Sequence, residues 1–265
     1  MTIGSTTKPA RRSKPWIDAS WHDPNSEDIC PVIVPADRYF VERPGASHDF
    51  TNYWEPREDP DGVVRDRSTD EERLRYLEDV ADEMVFVREL GPDSLVDVGC
   101  GPGWFLSDLE ARKKVAVEPS HQPVAGLDGW YDSVEHCLIM ERVESFDIVR
   151  CHHVIEHMTN PSQELIWMRR LLKRGGWLLL STPDFGGPCA ARFGDRYRML
   201  HDKTHCSLFT NESCHRFLRD HGFTIEWVKY PFPEKDPGEA FTAWIRETIC
   251  PPFPGNWMTF YARKK

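Results

Sequence analysis

No stretch of this sequence holds the roughly 18 consecutive apolar residues that a membrane-crossing helix needs, so no membrane partner is expected. The N-terminal MTIGSTTKPARRSKPW has basic residues but lacks the apolar centre of a secretory signal. The eight cysteines, at 30, 100, 137, 151, 189, 206, 214 and 250, form no C-x-x-C pair. That spacing argues against a zinc ribbon and a disulfide scaffold, and predicts reduced thiols in a cytoplasm. A basic patch is missing as well: net charge is −10 and the lysines and arginines are dispersed. A nucleic-acid backbone attracts the opposite surface, so nucleic acid is not an expected partner. Internal repeats are also missing. What is there is 265 residues with 40% hydrophobic and 12% aromatic content, enough for one large domain with a real core.

The chain divides by composition. Residues 1–30 are polar, carry Pro9, Pro15 and Pro24, and read as a disordered tail. Residues 31–93 hold an aromatic group (Tyr39, Phe40, Phe50, Tyr53, Trp54) and then STDEERLRYLEDVADEMVFVREL. In that segment Ser68, Thr69 or Asp70 is a helix cap. Leu74, Leu77, Val80 or Ala81, Met84 and Leu90 recur at helical spacing, and Gly91-Pro92 ends the helix. Residues 94–265 alternate apolar strands with helical stretches, with strands predicted at 94–99, 114–119, near 130–134, 146–151 and 176–182. The segment PSQELIWMRRLLKRGG predicts a helix closed by its glycines. Nearly all-apolar strands alternating with helices predict an α/β fold, a Rossmann-like doubly wound sheet with helices on both faces. The last two strands, FTIEWVKY and NWMTFYARK, lack a crossover helix long enough to run parallel and predict an antiparallel edge pair. Segments 183–215 and 231–255 are inserts to that plan.

In LVDVGCGPGWF, Gly99, Gly101 and Gly103 directly follow the first core strand. Glycines there let the backbone turn tightly and approach a ligand over a helix N-terminus. A dinucleotide fold wants G-x-G-x-x-G or -A, and Trp104 is a poor fit to it. Asp97 is unexpected in a buried strand, and a carboxylate at such a strand end can meet a cationic ligand group. D-x-G-x-G-x-G with an acid closing the next strand resembles the class I S-adenosylmethionine-dependent methyltransferases. The resemblance covers roughly residues 68–265. FDIVRCHHVIEHMTNP followed by LLKRGGWLLLSTP is similar to the branch acting on small molecules, ubiquinone- and natural-product-type enzymes included.

The resemblance implies S-adenosyl-L-methionine as cofactor. It implies Asp97, Gly99, Cys100 and Gly101 around its methionine end, and Glu118 with Pro119 at the ribose hydroxyls. Ser133 and Val134 lie near the adenine, where the usual acid is not evident, and Cys151 and His152, at the end of the fourth strand and just past it, would touch the cofactor. It also implies methyl transfer to a hydroxyl, amine or carbon of a small acceptor, such as a secondary metabolite, sugar or quinone-like compound, and it leaves a homodimer open. The alternatives are a cofactor-binding regulator without chemistry and a nucleic-acid methyltransferase.

His153, Glu156 and His157 spell H-x-x-E-H, an inverted zinc-protease pattern. That site needs both histidines on a long helix plus a distant third ligand. Here a strand ends just before His152 and Pro161 follows soon after, so no metal is expected. A hydroxyl or ammonium acceptor must lose a proton, and histidine is the natural base. Among His152, His153, His157, His201, His205 and His215, the expected catalytic residue is His205, which resembles a recurring family position, with His157 beside the substrate. The aromatics of 39–54 are expected either to plug the core or to close over the acceptor. Phe185, Phe193, Tyr197 and His205 of 183–215 would line its pocket. Trp104 reads as a pocket wall or packing residue, and Cys100 and Cys151 as pocket lining rather than nucleophiles.

Overall fold

The computed structural model describes residues 32–43, 45–47, 50, 55–58, 64–119, 126–187, 190–191, 197–200, 202–230 and 257–265. The expected tail 1–30 and insert 231–255, together with Tyr53, Trp54, Phe193 and His201, lie outside the described residues. Along the chain come β1 (Val41–Glu42), β2 (Arg57–Glu58), β3 (Val64–Arg65), α1 (Asp70–Asp79), α2 (Ala81–Leu90) and β4 (Ser94–Val98). Then follow α3 (Trp104–Ser107), β5 (Lys113–Val117), β6 (Gly129–Tyr131), α4 (Val134–Glu141), β7 (Phe146–His152), α5 (Pro161–Leu171) and β8 (Leu172–Pro183). The last elements are β9 (Ser207–Leu208), α6 (Asn211–Asp220), β10 (Phe223–Lys229) and β11 (Trp257–Lys264).

Seven of the strands form one sheet in the order β10-β11-β8-β7-β4-β5-β6. The run from β8 to β6 is parallel, and β11 is antiparallel to both β8 and β10. This is the doubly wound, mostly parallel sheet with a reversed edge that the sequence predicts. Every position of the central strand β4 is buried, because helices cover both faces. Its residues alternate between the layers. Val96 and Val98 pack with α4, α5 and α6, through Cys137, Leu165 and Phe217. Leu95 packs with α2 and α3, through Met84, Val87 and Phe105. None of the described helices is long and apolar enough to cross a membrane.

Two expectations are corrected. The single helix over 70–90 is two, separated at Val80, whose φ of −102° and ψ of 11° leave the helical region. Thr69 caps the first, accepting from the Glu72 N–H, and Gly91 ends the second at φ 56°. The break resets the helical phase, so a stripe counted through both helices does not lie on one line. Leu74 is 64% and Leu90 41% exposed, whereas Val80, Met84, Val87 and the charged Glu83 are buried. Second, α5 stops at Leu171 instead of running to the glycines, and Leu172 already pairs with Phe146 of β7. The register slips between Phe146 and Ile148, and Gly175 at φ 70° lets β8 make that kink.

Candidate active site

The carboxyl ends of β4, β5, β6 and β7 converge on one edge, the place where open α/β sheets take their ligands. The β4 strand runs into Gly99, Gly101 and Gly103, with φ of 71°, 54° and 74°, all in the region that penalises a side chain. At Gly99 space is the second constraint: a Cβ would come 2.1 Å from Cγ2 of Val154, in the loop after β7. The Gly99 N–H donates to Val117 (2.7 Å), so the loop is anchored on β5 as it turns. Glu118 at the end of β5 is 5% exposed and accepts from the Gly101 N–H at 3.0 Å. The two strand-end carboxylates, Asp97 and Glu118, thus flank the glycine loop.

Pro119 is exposed and Cys100 buried beside them. Burial pushes the Cys100 thiol up, so it is no nucleophile at neutral pH, and Cys151 is raised for the same reason. Ser133 caps α4, accepting from the His136 N–H, and Val134 is buried. Asp132, which the sequence reading passes over, directly follows β6 beside Ser133, with a side chain 73% exposed. Trp104 is half-buried against Tyr76 of α1, ring centroids 5.6 Å apart, in its packing role.

Beneath the loop lies a charged network that joins Asp97 and His152, both read from the sequence, to Glu83, Arg150 and Ser181, which were not. Arg150 of β7 stands opposite Asp97 in the parallel register. Its Nη1 lies 3.1 and 3.2 Å from the two Asp97 oxygens, and its Nε donates to Glu83 of α2 at 2.5 Å. His152 and Ser181 each reach the other Glu83 oxygen at 2.9 Å. Burial alone would raise Glu83, but Arg150 and His152 hold it well below the usual carboxylate range. Burial pushes Asp97 up to about 6 in spite of Arg150, and lowers His152 to about 4. The one signal in the sequence is an arginine inside the otherwise apolar run that ends FDIVRC.

Across the same edge, H-x-x-E-H resolves into different roles. His153 takes φ 53°, a left-handed value for a non-glycine residue, and its Nδ1 lies 3.1 Å from Oε1 of the fully buried Glu156. The other Glu156 oxygen accepts from Thr182 at 3.1 Å. His157 turns instead toward the segment after β8: its Nδ1 meets the Thr204 carbonyl at 3.1 Å and its ring lies 4.7 Å from that of His205. His205 is 5% exposed, its Nδ1 2.6 Å from the Met199 carbonyl, and burial followed by the neighbouring His157 lowers it to about 4. Glu156, His157 and His205 offer ligand atoms within 4.8 Å of one another. His215 sits apart on α6, against Phe260.

The aromatic N-terminal segment joins this side. β1 pairs antiparallel with β9, Arg43 donates to the Leu200 and Asp202 carbonyls, and Phe50 stands edge-on to His157 at 5.9 Å. Val34 and Val41 share a small core with Phe185, Tyr197 and Leu208. Phe185 and Tyr197, read from the sequence as pocket walls, are 1% and 0% exposed and belong to that core.

Comparison with known proteins agrees with this geometry. A family described as a methyltransferase domain matches residues 69–227. A ubiquinone biosynthesis O-methyltransferase of Nitrosomonas europaea is 28% identical over 122 residues, 42% of this chain and 49% of that protein. The chain spans about half the length of the curated relatives it matches. A methyltransferase structure from Archaeoglobus fulgidus superposes with a TM-score of 0.54 at 17% identity, over 72% of this chain and 94% of the other. One from Mesorhizobium loti gives 0.53 at 18%, over 72% and 100%. At those identities both likenesses speak for the fold. The chain belongs to the methyltransferase domain family, within the class I S-adenosylmethionine-dependent methyltransferases.

Proposed function

We propose that this protein methylates a small-molecule acceptor, an acidic hydroxyl of a quinone-like or aromatic compound fitting best. The observation that carries the reading is the meeting of a cofactor cradle and a histidine pair at one edge of the sheet. The residues fit the cofactor. Three left-handed glycines leave the backbone open to close approach, Asp97 offers an anion to the methionine ammonium, and Glu118 offers acceptors to the ribose hydroxyls. Asp132 is the carboxylate suited to the adenine amino group. When bound, S-adenosylmethionine supplies a methyl group on a positively charged sulfur. The chain's part is to align the acceptor oxygen and keep water away.

Removal of the acceptor proton falls to the histidine pair. Held near 4, His205 is a weak base at neutral pH. His157 is half-buried and beside it, and a hydrogen bond from its Nδ1–H to Thr204 leaves Nε2 with the lone pair, so His157 accepts the proton. His205, fixed by Met199, orients it. The ubiquinone relatives support the hydroxyl chemistry, and β1, Phe50 and β9 would border the acceptor. Transfer of isotope-labelled methyl to a panel of catechols and phenols tests the proposal; labelling of amines or thiols alone would overturn the hydroxyl assignment.

Glu118→Ala is expected to weaken S-adenosylmethionine binding by about 1–3 kcal/mol through lost hydrogen bonds to the ribose. Calorimetry finding the same affinity would remove Glu118 from the cradle. The proposed transfer uses no metal at Glu156, His157 and His205, whose ligand atoms stand together. Exhaustive chelation is therefore expected to leave transfer and thermal stability unchanged. One equivalent of tightly held metal, whose loss stops turnover, would reverse this.

A further inference from the structure

We propose that Arg150 is a positioning residue, holding the Asp97 carboxylate charged and aimed for the ammonium of the cofactor's methionine end. This rests on reading Asp97 as a ligand of that ammonium. A guanidinium in the middle of an apolar strand is costly unless it is paired and hydrogen-bonded. Val149 and Cys151 on either side of Arg150 are fully buried, and Arg150 itself is 1% exposed. Its pairing is specific. The Nη1 group straddles both Asp97 oxygens, while Nε is taken by Glu83. The guanidinium carbon also lies 3.9 Å from the ring centre of Phe105, on the short helix after the glycine loop. Three elements, α2, β4 and α3, thus fix one side chain.

Glu83 is not free to compete for other partners, since His152 and Ser181 fill its second oxygen. With Glu83 and Arg150 cancelling, Asp97 carries the net charge of this group, −1, and a cationic ligand end restores neutrality. Each Asp97 oxygen has about two lone-pair sites, so contact with one N–H group leaves room for a ligand. Burial pushes the Asp97 carboxyl up even with Arg150 beside it, and loss of the guanidinium would favour the uncharged form further.

Calorimetry with three ligands separates positioning from mere structure: S-adenosylmethionine, its demethylated product, and 5′-methylthioadenosine, which lacks the amino-acid end. Arg150→Met, and the double variant Glu83→Gln/Arg150→Met that leaves no lone charge buried, are expected to weaken the first two ligands about 10- to 100-fold. Binding of 5′-methylthioadenosine should stay within about twofold. Arg150→Lys, which keeps the charge but not the fork, should lose less than about tenfold, and again only for ligands with the methionine end. Asp97→Asn is the reference. Normal affinity in Asp97→Asn would sink the reading of Asp97 and this proposal with it. Loss there with normal affinity in the folded Arg150 variants would sink the proposal alone, as would equal losses for all three ligands.

Discussion

Replacing His157 with alanine is expected to lower turnover by roughly 10²- to 10⁴-fold while cofactor affinity changes by less than about twofold. The reason is geometric. The Thr204 carbonyl at 3.1 Å takes the Nδ1–H of His157, which fixes the tautomer with a basic Nε2. Phe50 edge-on and the His205 ring beside it hold the imidazole in place. The His205→Ala variant should fall by a smaller factor, about tenfold, because a histidine held near 4 orients its neighbour rather than holding a proton at neutral pH. Single-turnover rates with labelled cofactor decide it. An unimpaired His157→Ala enzyme would leave alignment alone as the source of rate. A larger loss in His205→Ala than in His157→Ala would exchange their roles.

The second large effect is expected at Gly99. Alanine there meets two penalties: a left-handed backbone costing about 1–2 kcal/mol, and a Cβ 2.1 Å from a methyl of Val154. Val154 belongs to the loop that sets His157, so relief must come from the glycine loop, which carries the Gly101 N–H away from Glu118. Gly99→Ala should therefore weaken S-adenosylmethionine binding by about 30-fold or more, the equivalent of some 2 kcal/mol. Adding Val154→Ala removes the collision and leaves the backbone penalty, so the double variant should recover part of the loss. Unchanged affinity in Gly99→Ala would show that the loop does not approach the ligand. No recovery in the double variant would put the whole effect in the backbone.

The glycine loop and its flanking acids were legible residue by residue because they are written locally. A loop whose φ turns positive favours glycine, and strand ends deliver their carboxylates in chain order. Asp97, Gly99, Gly101 and Glu118 could be read without knowing how the helices pack. Asp132 was passed over because one exposed acid after a three-residue strand makes no pattern. The helix over 70–90 was misread as continuous because its apolar spacing carries through Val80, while the break depends on how each half meets the sheet.

By itself, then, the sequence determined the doubly wound sheet, its reversed edge and the glycine loop between two strand-end acids, since hydrophobic period, glycine position and strand-end acids are properties of neighbours in the chain. Tertiary structure alone decided what stands together across it. Glu83 and Arg150 are 67 residues apart and form one ion pair, and His157 reaches the carbonyl of Thr204 47 residues on. Such pairings follow from the strand order β8-β7-β4 and from the packing of residues 204–206 against the segment after β7. A buried charge is tolerated only where the fold delivers its partner, and no spacing in one dimension records which distant residue that will be.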